Sequence, residues 1–169
     1  MSTREIARGG LLAAATTALL YFGGVLSEFG AAACLMAASA ASAIPLVRHA
    51  RLKMAVLLYI VTSVLSLMLT PRKLIAAAYV LVFGLYPIVK FVIESRLPVL
   101  FQLPGKLVYA NIAFVISCVL VRLVMTAEVQ MPGLIKLAVL WIAVNIGFII
   151  YDIWLSRVIA LLRRTLPPE

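Results

Sequence analysis

Apolar residues run through this chain in six long blocks, broken only by short polar segments. The blocks lie at about 6–26, 29–47, 54–69, 74–93, 107–127 and 134–155, the last extending toward Leu162. A helix needs roughly 17–25 apolar residues to cross the hydrocarbon of a bilayer, and all but the third block reach that comfortably. The runs are too long for strands and lack period-two alternation. In lipid the backbone must satisfy its own hydrogen bonds, so helices are the solution for a chain of this kind. The pattern predicts an all-α, integral membrane six-helix bundle forming a single transmembrane domain over residues 1–169. Pro45 stands near the end of the second block. Arg4 and Arg8 resemble the start of a signal peptide, and Ala38-Ser39-Ala40 and Ala41-Ser42-Ala43 resemble cleavage sites. Those tripeptides lie beyond a second apolar run, so the first block reads as a retained span.

Composition agrees with the pattern. Of 169 residues, 65% are hydrophobic and 12% charged, too few polar side chains to cover a soluble domain of this size. The basic residues add orientation. With six crossings, eleven of the fifteen Lys and Arg fall on the side of the termini and four on the other. The positive-inside rule then places both termini in the cytoplasm. Tyr86, Tyr109, Tyr151 and Trp154 are expected near the inner interface, and Tyr21, Phe22 and Tyr79 near the outer one. The net charge of +9 sits at helix ends, where it sets topology and meets anionic headgroups. It does not form a nucleic-acid face.

Short loops leave no room for a soluble catalytic domain. His49 is the only histidine and has no carboxylate or cysteine nearby in sequence, so neither a metal site nor a triad is predicted. Cys34 and Cys118 fall inside spans and read as packing residues. There is no phosphate-binding glycine loop and no cofactor motif. An importer built on this chain would draw its energy from elsewhere.

Ionisable groups inside spans are costly and mark candidate sites. In the fourth span Tyr86-Pro87 is followed by Lys90 and Glu94, four apart and on one face. Pro87 is expected to kink that helix and free a carbonyl. Asn145 and Asp152 share a face of the sixth span, and Asn111, Cys118 and Arg122 a face of the fifth. An inner polar cluster of Lys90, Glu94, Asn111 and Asp152 is therefore predicted, with Tyr151 at the same depth. It reads as a polar gate or, in the simpler reading favoured by its closeness to the headgroups, as a set of ion pairs that neutralise one another. The outer side carries Glu28, Arg72, Lys73, Arg122, Glu128 and Lys136, with Trp141 a turn deeper. Arg122 stands inside its span and suits a forked contact to an anionic group, or a pair with Glu128 or Glu28. Small residues complete the picture. Gly10, Ala14 and Ala18 repeat at four along the first span, as do Gly9, Ala13 and Thr17, and Ala31 to Ala43 is alanine-rich. Such stripes allow close helix approach, within the bundle or with another protein.

The segment Thr3-Arg4-Glu5-Ile6-Ala7-Arg8-Gly9-Gly10-Leu11-Leu12-Ala13-Ala14 resembles the first helix of the substrate-binding S components of energy-coupling factor (ECF) transporters. The six-helix topology with both ends inside is similar over the whole chain. That resemblance implies a docking stripe at Gly10, Ala14 and Ala18. It implies as partners a transmembrane coupling subunit and its ATPases, with a small-molecule ligand held in the outer half. Arg122, Trp141, Glu28, Tyr79 and Lys136 are the residues expected there. The external loop at about 23–29 is short for a lid, and the N-terminal histidine of metal-binding members is missing. Phe83-Gly84-Leu85-Tyr86-Pro87-Ile88-Val89-Lys90 with Glu94 also resembles a signature of small uncharacterised bacterial membrane proteins. The leading expectation is thus a non-enzymatic binding subunit. The alternatives are a non-transporting scaffold of envelope assembly, like the MreD-type rod-shape proteins, and a membrane enzyme acting on lipid through Lys90, Glu94 and Asp152.

Overall fold

A computed structural model describes residues 3–49, 52–124 and 133–165. All regular structure among them is helical: α1 (Thr3–Val25), α2 (Glu28–His49), α3 (Leu52–Leu69), α4 (Lys73–Ala78), a π-helical turn (Tyr79–Phe83), α5 (Tyr86–Arg96), α6 (Val99–Val124) and α7 (Leu134–Thr165). α4, the π turn and α5 together form the fourth span, so six helices are long and apolar enough to cross a membrane. Their outer surfaces carry large apolar side chains such as Phe29, Val99 and Ile135, as suits a lipid-facing surface.

Four of the six predicted spans agree with the observed helices to within about three residues at each end. The sixth runs to Thr165, past the suggested extension. The fifth needs a larger correction. Its helix begins at Val99, eight residues before the predicted start, and runs through Pro104. Pro98 holds Leu97 in extended backbone (φ −104°, ψ 141°) and marks the true boundary.

α1 packs against α2 and α3, and α7 against α2 and α6, so α2 stands between the two groups. The α1 contacts are close because their side chains are small. A Cβ on Gly24 would come within 2.9 Å of Pro71 and 3.0 Å of Thr70. Two of the hydroxyls buried in these seams return to their own helices. Thr17 donates to the Ala13 carbonyl at 2.8 Å, and Ser42 to Ala38 at 2.9 Å, so neither hydroxyl is left unsatisfied by the packing.

The fourth span is broken in the middle. The Gly84 N–H reaches back five residues to the Tyr79 carbonyl at 2.6 Å, and regular α-helix resumes only from Leu85, whose carbonyl receives Ile88 and Val89. Pro87, in the first turn of α5, brings no N–H for the Phe83 carbonyl. Carbonyls loosened by the π turn are taken by two tyrosines. Tyr59 of α3 donates to Val80 at 2.9 Å, and Tyr109 of α6 donates to Leu81 at 2.7 Å and Val82 at 3.2 Å.

The orientation rests on the basic residues and is checked by labelling. Ser27 and Gly133 are exposed at one end of the bundle and Thr165 at the other. In a background without Cys34 and Cys118, Ser27→Cys and Gly133→Cys should react with an impermeant thiol reagent on intact cells. Thr165→Cys should react only after the membrane is opened. The reverse pattern would invert the topology.

Candidate functional site: an ionic cluster between three spans

Lys90 and Glu94 sit on one face of α5, Lys106 on α6, and Asp152 and Ser156 on α7. The bundle brings all five together. Lys90 Nζ lies 3.0 Å from Glu94, bonds Asp152 Oδ1, and donates to Ser156 Oγ at 2.8 Å. Lys106 Nζ lies 2.7 Å from the same Glu94 oxygen and 3.2 Å from Asp152 Oδ2. Tyr86 donates its hydroxyl to Asp152 at 2.5 Å. Two ammoniums and two carboxylates thus balance, and each charge has two opposite partners. Lys90 is 2% exposed and Lys106 6%, while the Glu94 side chain is 40% exposed at the rim. The balance is what allows such burial. A lone charge at this depth would cost several kcal/mol.

Aromatic rings seal the cluster on its inner flank. Tyr86, fully buried, stacks on Tyr109 at 5.7 Å and meets Phe148 and Tyr151 edgewise or tilted, with Trp154 beyond. Tyr151 also bonds Ser39 of α2. The expectation that these aromatics form an interfacial belt is therefore corrected for Tyr86 and Tyr151, which are core residues. A crevice of about 30 Å³ reaches the cluster from one side, between α2, α5 and α7, with Glu94 and Arg163 among its lining.

Three of the four residues predicted for the inner cluster are there. Asn111 is not. Its amide donates to the Leu107 carbonyl at 2.8 Å and to Asn145 at 3.2 Å, and its oxygen receives the Trp141 indole N–H. Asn145 lies seven residues before Asp152, so this pair sits roughly 10 Å further along α7 than the charges. Lys106 takes the place expected of Asn111.

The outer set does not assemble as expected either. Tyr79 is fully buried, and its hydroxyl meets Ser42 at 2.8 Å and Thr62 at 2.9 Å between α2 and α3. Trp141 is committed to Asn111 of α6. Glu28 pairs with Arg72 at 3.1 Å on the rim, Lys73 caps α3 at the Leu67 carbonyl, and Lys136 is exposed on α7. These side chains have different partners on different helices and do not converge on one pocket. The side chain of Arg122 and all of Glu128 lie outside the described residues.

The two stripes of α1 separate cleanly. Ala13 and Thr17 are buried and Gly9 half-buried, where a Cβ on Gly9 would meet Met54 at 3.1 Å. Gly10, Ala14 and Ala18 are exposed, and a Cβ on Gly10 meets nothing within 4 Å. An open apolar groove of about 200 Å³ lies between α1 and α3, with Gly9, Gly10 and Ala13 on its α1 wall and Met54, Leu57 and Val61 on its far wall. Cys34 and Cys118 are free and half-buried. Comparison with known protein families, with curated proteins and with solved structures finds no match to this chain.

Proposed function

We propose that this chain is the membrane subunit that captures a substrate for an ECF-type importer. It takes a small molecule from the outer side of a bacterial cytoplasmic membrane. It then docks through α1 on a transmembrane coupling subunit driven by separate ATPases. The observation that carries this reading is the division of α1. One small-residue stripe, Gly9, Ala13 and Thr17, is used within the bundle. The parallel stripe, Gly10, Ala14 and Ala18, is left exposed, with Gly10 at the edge of an apolar groove. Within a bundle, small residues serve close packing. Facing outward, a run of them suits a second helix approaching at short range. Capture is assigned to the outer ends of α6 and α7, where Arg122 and Lys136 stand, because Glu28 and Arg72 are engaged with each other.

One observation favours a second reading. The centre of the bundle is filled by Tyr79, Tyr86, Phe148 and Tyr151. A filled centre suits a non-transporting scaffold of the MreD type, which recruits partners and carries no ligand. Native mass spectrometry after gentle extraction separates the two. The importer reading expects a retained small molecule in the free chain, and a complex with a coupling subunit and nucleotide-binding ATPases. A chain that retains envelope-assembly proteins and no small molecule would overturn it in favour of the scaffold.

A further inference from the structure

The break in the fourth span lies where two groups of helices meet. On one side, α4 belongs with α1 and α3, on which it packs, and Tyr79 at the start of the π turn bonds Ser42 and Thr62. On the other, α5 is tied to α6 and α7 through the Lys90–Glu94–Lys106–Asp152 network, while its Ile88 packs with Leu46 of α2 and Ala55 of α3. Ion pairs thus lock the second group to itself, and hydroxyl bonds lock the first. Between them the chain runs through a π turn, Gly84 and Pro87, where the regular backbone ladder lapses. Such interruptions are the recognised causes of helix bending.

We propose that the segment Tyr79–Pro87 is a hinge, about which α5, α6 and α7 move as one body relative to α1, α3 and α4. Three features support it. First, the ladder is already open there, so bending breaks few hydrogen bonds. Second, the loosened carbonyls are gripped from both bodies, by Tyr59 from α3 and by Tyr109 from α6. Third, the Tyr109 hydroxyl already reaches two successive carbonyls, Leu81 at 2.7 Å and Val82 at 3.2 Å. A small shift of α6 along the break exchanges one acceptor for the other without leaving the hydroxyl unpaired. A donor with two adjacent acceptors stays paired in either of two arrangements, which is what a two-state element requires. α2 is the wall along which the bodies slide. It bonds the first through Ser42 and the second through Ser39, which pairs with Tyr151. The inference does not depend on the docking reading of α1.

The test uses the full chain in lipid nanodiscs, with Cys34 and Cys118 replaced by serine. Spin labels go on Met68→Cys at the end of α3 and Ile135→Cys at the start of α7, both strongly exposed positions. Electron–electron resonance should give two distance populations. Pro87→Ala returns an N–H to the Phe83 carbonyl and should collapse them toward one. Tyr109→Phe removes the shared donor and should change their ratio at least about twofold, equivalent to roughly 0.4 kcal/mol. A single narrow distance in the unsubstituted protein would overturn the hinge. So would two populations that neither substitution changes. If Pro87→Ala fails to fold, Tyr109→Phe alone decides, by the same criterion.

Discussion

Lys90→Met should lower the stability of the protein by about 3 kcal/mol, the range for breaking a buried ion pair. For a chain of this length that is roughly a 10 °C fall in melting temperature. Methionine fills most of the lysine's volume, so the effect isolates charge from packing. Removing the ammonium leaves Asp152 and Glu94 facing Lys106 alone, one buried negative charge in excess. Ser156 also loses its incoming donor. Lys90→Met combined with Asp152→Asn restores neutrality, since Lys106 and Glu94 then form a simple pair at 2.7 Å. The introduced amide keeps an oxygen for the Tyr86 hydroxyl, so the double variant should recover most of the loss. Arg72→Met is the contrasting case. Its pair with Glu28 is exposed at both ends and should cost under about 1 kcal/mol. Thermal melting in detergent reads all three. A Lys90→Met variant as stable as Arg72→Met would mean that water, and not Lys90, solvates the carboxylates.

Much of this cluster was legible in sequence, and the reason is periodicity. Lys90 and Glu94 are four apart on one helix, and Asp152 falls at matching depth on a span that runs in the same direction. Lys106 was not legible as a member. Pro98, Gln102, Pro104 and Gly105 read as a loop, so Lys106 counted as a topological charge. A signal was present, however. Lys106, Ala110 and Ala113 recur at four and three, which is the buried stripe of α6. Asn111 follows Lys106 by five residues, about 140° around the helix, and so faces a different neighbour. Tyr79 and Trp141 teach the same lesson. Sequence gives depth along a span through the distance from its charged ends. It does not give which helices are adjacent, and adjacency decides whether residues at one depth converge. The missing backbone donor at Pro87 was readable from the residue itself. The π turn ahead of it was not, because the hydroxyls that satisfy its loosened carbonyls come from tyrosines on two other helices.

The division of α1 makes the second large prediction. Gly10 and Ala14 are both exposed, and a Cβ on Gly10 meets nothing within 4 Å. Gly10→Leu/Ala14→Leu should therefore fold with stability within about 0.5 kcal/mol of the unsubstituted chain. The same change on the inward stripe, Ala13→Leu, enlarges a side chain that is 6% exposed and should cost about 1–3 kcal/mol. Partner binding should sort the opposite way. Two leucines on the outward stripe hold an approaching helix several ångströms away and remove the close contact on which helix association in lipid depends. Recovery of the coupling subunit with the tagged protein, measured from membranes of cells expressing equal amounts of each variant, tests the account most directly. Gly10→Leu/Ala14→Leu should remain folded yet recover less than about a tenth of the coupling subunit and its ATPases, a loss of roughly 1.4 kcal/mol or more. Recovery at the unsubstituted level from the folded double variant would contradict the account.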